Sequence, residues 1–274
     1  MRSDDSRRGE HLVEKFTDVV SGEEVSHESV WQRENPAQTE NVSARSVDHE
    51  TASARVASRF KSIWLRKYVA SKLRTDPIFP AAYTLFSASS SLPILDVGCG
   101  VGLLGFYLRE RSCDQQIVGI DTDGRKIRQA LEISEGNYRN LDFVEQDARN
   151  EMPSISGNVA LIDVLHYLPP AAQSILLARC AERVARGGIA VIRDCPRDGG
   201  LRFRLTHLAE RFAQIISWNL NAALHFPTRE SVSALFPEAE FSAEVKPLWG
   251  GTPFNNHLFV FRRTSTATDS ASGR

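Results

Sequence analysis

Cysteine is scarce: four residues (Cys99, Cys113, Cys180 and Cys195) in a chain of 274, with no Cys-x-x-Cys pair among them. That pattern reads as reduced thiols in a cytoplasmic protein rather than as a disulfide framework. Net charge is also nearly absent. Lys and Arg number 33 against 34 Asp and Glu, a formal charge of −1, so nothing electrostatic argues for nucleic acid as the partner. Long apolar runs are missing. None approaches the roughly 18 residues that a membrane span requires. Met1 to Glu14 is charged and lacks the apolar core of a signal peptide, so secretion is not expected.

What is present is length enough for one sizeable α/β core with appendages. Residues 1–56 are polar, acid-leaning and without sustained periodicity, which predicts a disordered or loosely attached arm. A short helix around His11–Val20 is compatible with the pattern. Residues 57–91 read as a helical lead-in. Phe60, Ile63, Trp64, Tyr68, Val69 and Leu73 recur near helical spacing, basic residues fill the gaps, and Pro77 and Pro80 close the segment. The core domain spans 92–263, and a small polar tail follows over 264–274.

Within that core, strands and helices alternate. Strands are expected at Pro93–Val97, Gln116–Ile120, Asp142–Glu145, Val159–Asp163 and Ile189–Arg193. Helices are expected at Leu103–Arg111, Gly124–Ser134 and from Pro169-Pro170 to about Val184. Two further strands, Ala239–Pro247 and His257–Arg262, form a C-terminal pair. Between strand five and this pair lies an insertion, 197–236. Leu208, Phe212, Ile215, Ile216 and Leu220 fall on one helical face there, with His207, Trp218 and His225 nearby.

The densest signal is Ile94-Leu95-Asp96-Val97-Gly98-Cys99-Gly100-Val101-Gly102, a short strand running into a glycine turn and then a helix. Alternating glycines let backbone approach a ligand closely, and the helix N-terminus offers free N–H groups. Gly100-Val101-Gly102-Leu103-Leu104-Gly105 also fits the dinucleotide pattern Gly-x-Gly-x-x-Gly, a weak motif on its own. Against a nicotinamide cofactor, Asp96 would crowd a diphosphate. Asp121 follows about twenty residues later, where a carboxylate can take both hydroxyls of a ribose.

The pattern Asp-x-Gly-x-Gly-x-Gly after a strand resembles motif I of the class I S-adenosylmethionine (SAM)-dependent methyltransferases, and Asp163-Val164-Leu165-His166-Tyr167-Leu168-Pro169 is similar to their segment after strand four. The resemblance covers about Phe60 to Arg262. It implies a Rossmann-like α/β fold: a seven-stranded sheet of order 3-2-1-4-5-7-6 with strand 7 antiparallel, helices on both faces and a helical lid insertion. It implies a SAM site built from Asp96, Gly98, Cys99, Gly100, Gly102, Asp121, Thr122, Asp147, Ala148 and Asp163. In it Asp121 holds the ribose, Asp147 faces the adenine amine and Lys72 meets the methionine carboxylate. Ser71–Pro77 and Gly250-Gly251-Thr252-Pro253-Phe254 are similar to a bacterial subgroup linked to aryl-polyene and related pigment pathways.

Methyl transfer to a hydroxyl needs alignment and a proton acceptor. His166, Tyr167, Asp194 and Arg193 lie where those groups belong, at the carboxyl ends of strands four and five. His166 is the candidate base, or else packs beside the cofactor and orients its loop. Asp194 either orients a substrate hydroxyl or caps the following turn. Arg193 either clamps a substrate carboxylate or pairs with a neighbouring acid. Base-amine methylation is disfavoured because Pro169-Pro170 falls too late for the Asp/Asn-Pro-Pro-aromatic motif. Cytosine C5 methylation lacks its strand-four cysteine, although Cys195-Pro196 follows strand five. Clustered carboxylates for a metal are lacking, so no metal is expected. The lid, with Trp249 and Phe254, suits an aromatic or carrier-bound acyl substrate or packs as ordinary core. The expected function is transfer of a methyl group to a small molecule. An NAD(P)-dependent oxidoreductase and a non-catalytic SAM-binding partner protein are the alternatives.

Overall fold

The computed structural model describes residues 47–89, 91–206 and 223–265. Three helices precede the sheet: α1 (His49–Ser58), α2 (Ile63–Thr75) and α3 (Ile78–Ala88). Then follow β1 (Ile94–Val97), α4 (Leu103–Glu110), β2 (Ile117–Asp121), α5 (Gly124–Ser134), β3 (Leu141–Glu145) and β4 (Asn158–Ile162). A 3-10 turn, Leu165–Tyr167, leads to α6 (Pro170–Arg183) and β5 (Ile189–Asp194). Residues 201–206 are helical. The chain ends its described part with α7 (Arg229–Ser233), β6 (Phe241–Pro247) and β7 (His257–Arg263).

The sheet order is β3-β2-β1-β4-β5-β7-β6. The first five strands pair in parallel, and β7 runs antiparallel to both β5 and β6. This is the expected order and polarity. The central strands are mostly apolar because helices cover both faces, and every residue of β1 and β5 is buried, Asp96, Arg193 and Asp194 included. At the edge, β6 buries only Phe241 and exposes Glu244 and Lys246, charges that discourage pairing with another chain. Among the described residues, no helix is long and apolar enough to cross a membrane. All four cysteines are buried.

Three local expectations need correction. The loose arm does not extend to residue 56. Asp48 caps α1 by accepting from Thr51 N (2.9 Å), Ala52, Val56 and Ala57 are buried, and His49 Nδ1 lies 2.8 Å from Tyr107 Oη. Alanines carry this buried face, so the apolar period was faint. Pro77 and Pro80 do not merely close a helix. Pro77 caps α3 and Pro80 sits in its first turn, where no N–H is needed. The lead-in helix also buries less than its pattern implied: Val69 and Leu73 face the core, whereas Ile63, Trp64 and Tyr68 face solvent. Residues 1–46, 207–222 and 266–274 lie outside the described residues. The expected His11–Val20 helix lies there, as do His207, Leu208, Phe212, Ile215, Ile216, Trp218 and Leu220 of the insertion.

Asn158 ties the sheet to the lead-in. Its Oδ1 accepts from Ile189 N (3.0 Å), and its Nδ2 donates to Ser89 Oγ (3.1 Å) and Leu92 O (3.3 Å). The side chain is fully buried, so truncation strands three partners at once. Asn158→Ala is expected to lower stability by about 2–3 kcal/mol, measured by urea denaturation. A loss under about 0.5 kcal/mol would contradict this linkage.

Candidate active site

The carboxyl ends of β1 to β4 converge on one cleft of about 270 Å³. The turn after β1 forms its floor. Gly98 N and Cys99 N both donate to Ile120 O, at 2.8 and 3.0 Å, which staples the turn to β2. Gly98 has φ +75, and a Cβ there would stand 2.3 Å from Val164 Cγ2. The turn and the loop after β4 therefore meet only because residue 98 has no side chain. Gly100 differs: at φ +57, its missing Cβ would point into open space. Its backbone is the part of the turn presented to a ligand.

Of the expected binding residues, Gly98, Gly100, Asp121, Thr122, Asp147, Ala148 and Asp163 line this cleft, and Tyr167 joins them. Asp121 accepts from Gly100 N (Oδ2, 2.9 Å) and Asp123 N (Oδ1, 2.9 Å), which fixes the carboxylate at the end of β2. Asp147 is held by Arg149 through Nε–Oδ1 (2.9 Å) and Nη2–Oδ2 (2.7 Å), and those bonds keep its carboxyl below the usual range. Gly102 is a packing position instead: a Cβ would strike the Phe143 ring at 2.5 Å. Cys99 is also buried off the cleft, and burial with nearby Asp96 pushes its thiol well up. Sequence reasoning missed Lys126 and Arg149 on the polar side, and Val164, Leu168 and Leu176 on the apolar wall. Leu176 is recoverable only once α6 is placed against β4.

A four-membered charge cluster flanks the cleft where α2, β4 and β5 meet. Arg193, at the end of β5, pairs with Asp163 and with Asp76 (Nη2–Oδ2, 3.1 Å). Lys72 reaches Asp76 at 3.3 Å and Asp163 at 3.7 Å. Burial raises Asp76, but Arg193 and Lys72 outweigh it and hold the carboxyl low. Of the two uses expected for Arg193, the structure gives pairing with a neighbouring acid rather than a clamp on substrate. Asp163 has φ +58, an uncommon conformation for a non-glycine residue, at the point where strand becomes cleft wall.

Asp194 is fully buried and off the cleft. It does not reach out to a substrate hydroxyl. Its Oδ2 accepts from Leu165 N (3.0 Å), and its Oδ1 from Cys195 N (2.8 Å) and His166 Nδ1 (2.9 Å). Burial opposes its charge, but His166 and these hydrogen bonds hold its pKa down. An ionised carboxylate only accepts, so Nδ1 of His166 is the donor in this pair. His166 itself is buried in the 3-10 turn. Its ring packs against Tyr167 (centroids 4.1 Å) and is stacked with Phe226 (5.7 Å). Gln173 was not foreseen. Its Nε2 donates toward Leu165 O, Leu168 O and His225 O, which stitches the returning end of the insertion to this turn. Among the described residues, no group of three or more His, Cys, Asp or Glu is placed to hold a metal.

Asp96 lies in β1 beneath the turn, 3% exposed and not on the cleft wall. Burial, and then the charge of Asp121, push its pKa to about 7 from an ordinary 3.8. The folded protein thus holds a proton between those values that the unfolded chain has lost. This carboxyl makes stability fall as pH rises from about 4 to about 7. Asp96→Asn is expected to remove a decline on the order of 4 kcal/mol across that window, measured by urea denaturation at several pH values. Parallel pH profiles for parent and variant would contradict the shift.

Comparison with known proteins fits this geometry. Residues 94–188 match the family model described as "Methyltransferase domain". A curated relative named as a methyltransferase, 235L of Invertebrate iridescent virus 6, is 35% identical over 63 residues, which are 23% of this chain. The matched region spans 22% of that relative's length. An O-methyltransferase family 2 protein from Planctomyces limnophilus DSM 3776, solved in complex with apigenin, superposes with a TM-score of 0.56 at 17% identity. The match covers 76% of this chain and 65% of that one. The N-methyltransferase NodS from Bradyrhizobium japonicum WM9, solved with S-adenosyl-L-homocysteine (SAH), gives 0.51 at 15% identity over 79% of this chain and 99% of that one. None of these three singles out the pigment-pathway subgroup. The matched segment lies within the 3-2-1-4-5-7-6 sheet, and residues 94–188 are similar to a methyltransferase domain.

Proposed function

We propose that this protein moves the methyl group of SAM to a hydroxyl of a small aromatic or acyl molecule. The observation that carries the cofactor is the cleft: an open Gly100 backbone between two fixed carboxylates, Asp121 and Asp147, facing an apolar wall of Val164, Leu168 and Leu176. Those residues fit an adenosine, with a planar apolar base and two vicinal hydroxyls. Asp121 would take the ribose hydroxyls and Asp147 the exocyclic amine. Thr122 and Ala148 would flank them. Lys72, although shared between Asp76 and Asp163, would face the cofactor carboxylate. A nicotinamide oxidoreductase loses its ground here, because the matched family is of methyltransferases and β7 is antiparallel.

When bound, SAM supplies an electrophilic methyl group on a cationic sulfur. The chain supplies alignment and a route for the proton. His166 would accept the hydroxyl proton at Nε2, and buried Asp194 would stabilise the resulting imidazolium from the Nδ1 side. Tyr167, on the cleft wall, would orient the acceptor. Phe226, stacked on His166, would exclude water. The aromatic series Tyr167, His166, Phe226 and Phe203 supports a flat acceptor (Phe203 meets Phe226 edge-on at 5.1 Å). With Arg193 engaged by two acids, an acceptor carboxylate has no ready clamp there. One observation favours a second reading. His166 is only 3% exposed and off the cleft wall, as a packing histidine in a non-catalytic SAM-binding protein would be.

Calorimetric titration with SAH, NADH and NADPH separates the cofactors: SAH alone is expected to bind. Asp121→Ala is expected to weaken SAH by about 10–100-fold, the scale of hydrogen bonds to a charged group. Unchanged affinity would sink the ribose assignment. In an assay against a panel of phenols and hydroxylated acids, His166→Ala should lower turnover by about 10²–10⁴-fold and leave SAH affinity within about twofold. Superimposable pH–rate profiles for variant and parent would make His166 a packing residue.

A further inference from the structure

Among the described residues, nothing covers one face of helix α2. At 100° per residue, Ile63, Arg74, Lys67, Ser71, Trp64, Thr75 and Tyr68 fall within an arc of about 140°. Ile63 is 63% exposed, Trp64 80% and Tyr68 58%. Two aromatic rings and an isoleucine on one solvent-facing helix side are the residue types that carry interface energy. Two cations share the arc, and Lys67 Nζ stands 5.9 Å from the centre of the Trp64 ring. No acidic residue occurs from Ile63 to Thr75. Among the described residues, no carboxylate pairs with Lys67 or Arg74, whereas Lys61 has one partner and Lys72 two.

The placement of the charges selects the occupant. Lys67 and Arg74 lie between Ile63 and Trp64 around the helix, not on the opposite side. Sinking this arc into a lipid surface would therefore carry both cations toward the acyl chains. A symmetric contact with a second copy would set the same cations against each other. A protein surface with carboxylates around an apolar patch satisfies rings and cations together.

The far end of the helix reaches the site. Lys72 lies 3.7 Å from Asp163, which is on the cleft wall, and Asp76 pairs with Arg193. Trp64 and Lys72 are eight residues apart, about 12 Å along the axis. We infer that the exposed face of α2 docks a small acidic carrier protein, which presents the methyl acceptor to the cleft on a flexible tether. This rests on the methyltransferase reading of the cleft and names the form in which the acceptor arrives.

The test titrates holo-acyl carrier protein, the acidic carrier with its phosphopantetheine arm attached, into the full-length protein. The same titration is made on Lys67→Glu/Arg74→Glu and on Trp64→Ala. All three positions are exposed, so melting curves should superimpose. Carrier binding is expected to the parent at low salt, with at least a tenfold loss in the charge-reversed variant, a loss in Trp64→Ala, and a steep fall near 0.2 M salt, where the screening length drops below about 8 Å. SAH should bind all of them equally. Absence of carrier binding to the parent, or equal binding to parent and charge-reversed variant, overturns the inference. So does Trp64-dependent binding to anionic phospholipid vesicles, or Trp64-dependent self-association, in place of carrier binding. Failure of the parent to bind SAH would instead overturn the methyltransferase reading, and the carrier titration would still decide the docking surface.

Discussion

The absence of a side chain at Gly98 is the constraint on which the site depends. Any Cβ there would overlap Val164 at 2.3 Å, so the turn after β1 and the loop after β4 close against each other only with glycine. That contact brings Gly100, Asp121 and Asp163 to one cleft, although they come from three parts of the chain. Neighbouring strands repeat the device at lower cost. Asp121 reaches back to Gly100 N, and Asp163 turns through a positive φ into the wall. Each strand end thus delivers one polar group to a common edge, where open α/β sheets place their ligands.

Behind the cleft, two buried ionic units hold the acceptor side. Burying Arg193 is costly unless its charge is matched, and Asp163 and Asp76 match it from different elements. Lys72 balances the second carboxylate, so the cluster joins α2 to the ends of β4 and β5 with no net charge. The second unit is His166 with Asp194. One carboxylate receives Leu165 N, Cys195 N and the imidazole, which fixes the turn and its ring together. Gln173 then ties the same turn to His225 at the return of the insertion.

What the sequence disclosed was whatever is local along the chain. The central strands are short, mostly apolar runs that end in Gly98, Asp121 or Asp163, so the residues at their carboxyl ends could be read directly, whereas the sheet order came from the family resemblance. Asp121 and Asp147 were legible because a strand end leaves a side chain little choice of direction. Contacts made across the chain were not. Arg193 and Asp76 are 117 residues apart, and no spacing rule hints that they meet. Asp194 was expected to face substrate or cap a turn, because its partner His166 lies 28 residues upstream. The burial of α1 was hidden by its alanines. The exposure of Trp64 and Tyr68 was hidden by an apolar period that ordinarily marks a core face. Gln173, a lone amide within an ordinary helix pattern, carried no signal.

A crystal structure with bound SAH tests the central claim most directly. The adenosine is expected between Gly100 and the wall of Leu168 and Leu176, with both ribose hydroxyls on the Asp121 carboxylate and the adenine amine toward Asp147. A ligand seated elsewhere, or one whose ribose leaves Asp121 untouched, would contradict it.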